Sequence, residues 1–309
     1  MNSRVHLFVW LRLSFVLLGL VGLISLGGGL QAAVYNREEM RQDDRQAAFR
    51  LFIPDAVKIV RAVVVLMPGH EGDGRAMADD PEWCDFAARN EVALLAAFVT
   101  GDSYYRAERW AGRVVVNTLA GFADASAHPE LKEAPLAFWG HSAGGQFNYN
   151  FACFLPGRTL AFVANKGANY EASADARVRN VPALWITGAD DTDVRVNNIT
   201  SLYAENRRFG ALWALVIEPG VGHEVGASKR LGMAFLQDAL GLRLSAAGQL
   251  VPVDPARGWL GDLHTAAIEK APPAGGDHRA QAWLPGEASA RLWAKVMLGE
   301  TTQNTTTAP

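Results

Sequence analysis

Apolar positions in this chain fall into short continuous runs, separated by stretches in which they recur at helical spacing. Residues 62–67 read Ala-Val-Val-Val-Leu-Met, with no polar position to mark a solvent face. Such a run suits a strand covered on both sides, as in a parallel sheet. Residues 92–99, 136–139, 160–164, 183–187 and 212–217 read the same way, and 47–54 forms a further short strand. Helical spacing is expected over 81–90, 107–124, 146–154, 192–208 and 224–240. A last helix is expected over 285–298, with Pro285 near its start and Gly299 after its end. Strands alternating with helices predict the α/β class: a mostly parallel central sheet with helices on both faces and right-handed crossovers.

The two ends break this alternation. Arg4 and Arg12 precede an apolar run over 13–26, then come Gly27, Gly28 and Gly29, then Leu30-Gln31-Ala32-Ala33. This order predicts a secretory signal peptide over 1–33, cleaved after Ala32 or Ala33. The competing reading is an uncleaved anchor, since the apolar run approaches spanning length. The small residues favour processing, and hence a secreted or periplasmic protein with no stable membrane insertion after cleavage. After residue 244 the strand–helix pattern stops. Two prolines and a Gly-Trp-Leu-Gly turn occupy 251–262, and 271–277 is a Pro/Gly-rich loop. Trp259, Trp283 and Trp293 argue that the segment packs on the rest of the chain. The expected organisation is therefore a main domain over 34–244, a packed extension over 245–299 and a disordered tail over 300–309.

Composition narrows the partners. The chain has 309 residues, 50% of them hydrophobic, enough for one large domain with a full core or for two small ones. Its net charge is −3, and no basic stripe suggests nucleic acid. No His/Cys/Asp spacing reads as a ligand set, so no metal and no cofactor are expected. There are two cysteines, Cys84 and Cys153. The predicted helices put them on opposite faces of the sheet, and a disulfide needs Cα atoms within about 7 Å. Two free thiols are expected.

The chemistry concentrates at Gly140-His141-Ser142-Ala143-Gly144-Gly145, where a strand turns straight into a helix. That context exposes the Ser142 hydroxyl on a tight turn and points the free amides of a helix start at it. A serine hydroxyl needs a base to take its proton. Among the seven histidines, His223 follows the last predicted strand in the loop Glu218-Pro219-Gly220-Val221-Gly222-His223, and it is the expected base. His264 is its rival. His141, next to the nucleophile on a sharp turn, is not expected to face it. The acid should leave the strand over 183–187, where Asp190, Asp191 and Asp193 compete; Asp191 is favoured, and the others are helix caps. An oxyanion hole needs two backbone amides. One is expected from Ala143 and the other from His70 or Glu71, in the Gly-rich loop after the 62–67 strand.

This order of motifs resembles the α/β-hydrolase superfamily over residues 47–240. It resembles most the esterase branch that includes polyhydroxybutyrate-depolymerase-like and feruloyl-esterase-like enzymes. Trp139 before the turn and the segment after 244 fall outside the pattern. The resemblance implies that Ser142, Asp191 and His223 act as a triad, through an acyl ester on Ser142. The expected substrate is a small-molecule or polymeric ester. A peptidase or amidase with the same triad, and a non-catalytic binding protein on this scaffold, are the alternatives. The stretch 166–181 is too short for a large helical lid, which predicts an open cleft unless the C-terminal segment closes it. Tyr104, Tyr105, Trp110 and Tyr170 follow strands near the carboxyl edge of the sheet. They line an acyl or aromatic pocket or else pack on helix faces.

Overall fold

The computed structural model describes residues 33–40, 45–101, 104–170, 175–272 and 278–300, with the backbone alone at 38–40. The expected signal peptide up to Ala32, most of the 271–277 loop and the tail from 301 lie outside the described residues.

The strands in chain order are β1 (Ala33–Met40), β2 (Gln46–Ile53), β3 (Val63–Met67), β4 (Ala93–Val99), β5 (Leu136–His141), β6 (Thr159–Asn165), β7 (Ala183–Gly188) and β8 (Trp213–Glu218). They form one eight-stranded sheet in the order β1-β2-β4-β3-β5-β6-β7-β8. From β4 through β3 to β8 every neighbouring pair is parallel, while β1 and β2 run antiparallel at one edge. The sheet is thus mostly parallel, as the unalternating apolar runs require.

The helices are α1 (Pro81–Asn90), α2 (Ala111–Ser126), α3 (Ala143–Phe154), α4 (Asp193–Arg207), α5 (Ser228–Arg243) and α6 (Glu287–Met297). Alternate residues of each strand serve the two faces. Val63, Val65 and Met67 join the core shared with α2, α3 and α4. Val64 and Leu66 join the core shared with α1, α5 and α6. Every residue of β3 is fully buried, and each such valine contributes about 1.5–3 kcal/mol. The start of α1 shows how local chemistry sets a boundary: Asp80 accepts from the amides of Glu82 and Trp83, and Pro81 fills the first helical position. Cys84 on α1 and Cys153 on α3 lie on opposite faces, half-buried and not joined in a disulfide.

Several boundaries differ from expectation. β1 was not predicted: Tyr35, Asn36, Arg37 and Glu38 give it the polar character of an edge strand, which lacks a buried run. α2 begins at Ala111 rather than 107, and α5 at Ser228 rather than 224. The later start of α5 lengthens the loop that carries His223. The region after 244 holds a second, three-stranded sheet, in the order β10-β9-β11, built from β9 (Trp259–Asp262), β10 (Ile268–Lys270) and β11 (Gln281–Leu284). Strands of three or four residues leave too little pattern to read. This segment lies against the main sheet. β11 and α6 lie against β8. Tyr203 Oη and Arg207 Nε of α4 both donate to the Gln281 carbonyl, at 2.8 and 2.9 Å.

Candidate active site

β5 delivers Ser142 at the carboxyl edge of the sheet, and α3 begins at the next residue. Ser142 sits at φ 54°, ψ −121°, a conformation that a non-glycine residue holds only when its surroundings enforce it. Close packing does so here. A Cβ on Gly144 would come within 2.4 Å of the Met67 and Pro68 carbonyl oxygens, and one on Gly140 within 2.6 Å of Gly144. The turn closes only because both residues lack side chains.

The structure brings Ser142, His223 and Asp191 together. His223 Nε2 lies 3.1 Å from Ser142 Oγ, and His223 Nδ1 lies 2.9 Å from Asp191 Oδ2. The carboxylate side chain of Asp191 is 2% exposed, whereas the imidazole is 36% exposed. Backbone bonds join the two loops: Ala189 N donates to Glu218 O at 2.9 Å, and Asp190 N to Val221 O at 3.0 Å. Asp191 Oδ1 accepts from the Thr192 amide at 2.7 Å and from Arg195 Nη1 at 3.0 Å. Burial pushes the Asp191 carboxyl up, but the bonds from His223, Thr192 and Arg195 outweigh it and hold the group below the usual carboxylate range.

The rivals are placed elsewhere. Asp190 and Asp193 are exposed, and Asp193 is the first residue of α4. His264 is exposed in the β9–β10 turn, where its amide donates to Asp262. The loop after β3 does reach the serine. A Cβ on Gly69 would stand 3.6 Å from Ser142 Cβ, so the following residues, His70 and Glu71, border the site. Their side chains point to solvent, 67% and 77% exposed, and Glu71 has φ 56°. Ala143 is the first residue of α3, where helix amides lack intrahelical partners.

The aromatic pocket expectation needs correction. Tyr104 and Trp110 are 1% and 4% exposed, inside the core beneath α2. Tyr104 supports the loop after β3: its hydroxyl lies 3.4 Å from the Pro68 carbonyl, and its ring stacks on His70. Tyr170 packs edge-on against Tyr149 and Trp185, with its hydroxyl enclosed. Tyr105 and the rest of Tyr170 are half-buried and keep some surface. An aromatic residue just past a strand reads alike whether it turns outward or folds under.

Four further polar side chains lie beside or beneath the triad: His141, Asn165, Lys166 and Glu218. His141 lies 5.0 Å from His223, ring centre to ring centre, and its Nδ1 meets Asn165 Nδ2 at 3.0 Å. Burial, with His223 and Lys166 nearby, pushes its imidazole down to about 4. Lys166, just past β6, is fully buried and paired with the equally buried Glu218 at the end of β8. Asn165 also donates to Val225 O at 3.2 Å and Ser228 Oγ at 2.9 Å. The signal available was polar residues closing otherwise apolar strands. No group of three His, Cys, Asp or Glu residues among the described residues is arranged to hold a metal.

No family model and no curated protein matches this chain. Solved structures do match it. A poly(3-hydroxybutyrate) depolymerase from Bordetella parapertussis is similar at TM-score 0.50 and 18% identity, over 68% of this chain and 90% of that one. Poly(aspartic acid) hydrolase-1 from Sphingomonas sp. KT-1 gives TM-score 0.51 at 16% identity, over 66% and 98%. A ferulic acid esterase gives 0.52 at 15%, over 68% and 98%. The fold is the α/β-hydrolase fold.

Proposed function

We propose that this chain is an exported serine hydrolase that cleaves carboxylic esters, with Ser142, His223 and Asp191 as its catalytic triad. The observation that carries the reading is the unbroken line from Asp191 Oδ2 through His223 to Ser142 Oγ, with links of 2.9 and 3.1 Å. An ionised Asp191 only accepts, so His223 carries its proton on Nδ1. Its Nε2 lone pair then faces the serine hydroxyl, as a general base must. Ser142 attacks the acyl carbon as its proton passes to His223. The charge on the acyl oxygen meets the Ala143 amide and an amide of the loop at His70 or Glu71. His223 returns the proton to the departing alcohol, leaving an ester on Ser142. Water repeats the sequence and releases the acid.

The solved structures of like fold support esters as the substrate class, since one is a ferulic acid esterase and another a poly(3-hydroxybutyrate) depolymerase. The poly(aspartic acid) hydrolase keeps amide cleavage as the second reading. An exposed His223 edge fits a small molecule or a polymer chain lying across the site. Export rests on the charged, apolar and small-residue order of residues 1–33. No helix among the described residues is long and apolar enough to cross a membrane.

The test is turnover of p-nitrophenyl esters of increasing acyl length, beside Ser142→Ala. Loss of the nucleophile should cost about a million-fold in kcat. Equal inertness of both proteins ends the esterase reading for simple esters and moves peptide and amide substrates to the front.

A further inference from the structure

The loop that presents His223 is spanned beneath by two buried charges. Glu218 is the last residue of β8, and the loop runs from Pro219 to the start of α5 at Ser228. Glu218 Oε1 accepts from the Ala227 amide at 2.6 Å, so the carboxylate reaches the far end of the loop that begins beside it. Its other oxygen pairs with Lys166 Nζ, and that ammonium donates again to the Glu224 carbonyl at 2.7 Å. The two side chains are 3% and 0% exposed. Lys166 itself holds φ 54° just past β6. Its amide donates to Ile186 O of β7 at 2.8 Å, which ties it to the strand that leads to Asp191. At Gly226, φ is 59° and a Cβ would come within 2.5 Å of the Glu218 carboxylate, so the loop lies directly on the pair.

Two charges taken out of water are costly, and hydrophobic residues of like volume often serve stability as well or better. The pair also fixes three points of one loop: its start at Glu218, the carbonyl after His223, and the amide before α5. We propose that Lys166 and Glu218 are positioning residues that hold the His223 loop in register with Ser142; this rests on the triad reading above. They touch neither substrate nor the reacting atoms. Their effect falls on the angle at which Nε2 meets the serine hydroxyl.

The experiment compares three full-length variants with the wild type: the neutral double variant Lys166→Met/Glu218→Gln, the single Lys166→Met, and Gly226→Ala, which keeps both charges and forces a methyl between the loop and the Glu218 carboxylate. Each is read by thermal midpoint, by kcat and KM on a p-nitrophenyl ester, and by the rate at which a fluorophosphonate labels Ser142. Misplacing a catalytic group by about 1 Å costs roughly 100-fold. The expected result is a double variant that regains the thermal midpoint lost by Lys166→Met, yet keeps a roughly 100-fold lower kcat at little-changed KM. Gly226→Ala should show the same pattern, with labelling slowed in parallel. A double variant, or a folded Gly226→Ala, with wild-type kcat and labelling overturns the proposal and leaves the pair a structural one. A wild type that labels but cleaves no ester fails the ester reading alone, and labelling rates then decide the positioning claim. A wild type inert in both assays removes the triad, and the proposal with it.

Discussion

Arg195 Nη1 lies 3.0 Å from Asp191 Oδ1, the carboxylate oxygen that His223 does not use. The arginine stands in the first turn of α4, and its side chain is 28% exposed against 2% for the aspartate. It therefore helps keep a buried carboxylate ionised. The folded-state acidity of Asp191 is displaced below its ordinary value of 3.8. Its stabilisation is thus complete above that ordinary value and is lost as pH falls through the lower, folded one. Arg195→Gln removes one of the bonds that lower it. A charge-assisted bond of this kind contributes about 1.5–3 kcal/mol. The thermal midpoints of wild type and Arg195→Gln should differ most near about pH 6 and converge as pH falls through the folded-state value and the carboxyl takes up its proton. A gap independent of pH would assign Arg195 to packing instead.

The same carboxylate distinguishes three adjacent candidates. Asp191→Asn leaves the shape of the site but reverses the preferred imidazole tautomer, which should lower kcat about ten-thousand-fold. Asp190→Asn and Asp193→Asn alter exposed groups, and substitutions of that kind change stability by less than about 0.5 kcal/mol. Their kcat should stay near that of the wild type. Steady-state kinetics on one ester decides it, and a large loss in Asp190→Asn would move the acid by one residue.

Residues differ in how plainly they announced themselves. β3 and β5 were legible because strands buried on both faces need uninterrupted apolar residues. Ser142 was legible because the glycines around it meet a steric demand, visible in the 2.4 Å a Cβ on Gly144 would leave. β1 was not, since an edge strand buries too little to show a run. β9, β10 and β11 were too short to set a period. Tyr104 and Trp110 were misplaced because an aromatic side chain past a strand suits a pocket and a core equally. Lys166 and Glu218 lie 52 positions apart, and nothing local links them. Only the sheet, by placing the ends of β6 and β8 on one edge, makes them partners.

His141 offers a second reading of pH. Its Nδ1 faces the Asn165 amide, so the ring proton sits on Nε2. Burial, His223 and Lys166 push its imidazole from 6.5 down to about 4. Between those values the unfolded chain takes up a proton that the folded chain refuses. His141 therefore costs nothing above about pH 6.5 and progressively destabilises the fold as pH falls towards about 4. His141→Asn keeps an acceptor near the Asn165 amide and removes the titration. Relative to wild type, its thermal midpoint should rise as pH falls across this window. A difference that stays level would mean that His141 takes up its proton in the folded protein as readily as in the unfolded one.

The C-terminal segment is tied to the main sheet at the strand that most needs cover. β8 is an edge strand, and unpaired edge groups invite pairing with another chain. α6 engages two of them with side chains. Trp293 Nε1 donates to Leu215 O at 2.7 Å, and Met297 Sδ accepts from Ile217 N at 3.5 Å. Trp293 is fully buried, and a Cβ on Gly261 would come within 2.4 Å of its ring, so the same indole also seats β9. Trp293→Phe keeps most of the volume and drops the N–H, which leaves the Leu215 carbonyl without its donor at a cost of about 1–3 kcal/mol. Trp293→Ala opens a cavity as well, and truncations of that size cost about 3–5 kcal/mol. Urea unfolding of both variants should give lower midpoints in that order, with a single transition, if residues 245–299 and the main sheet unfold together. Wild-type midpoints in Trp293→Ala would detach the segment from the cooperative unit. A lowered midpoint accompanied by concentration-dependent association would show that α6 also keeps the β8 edge from finding a partner.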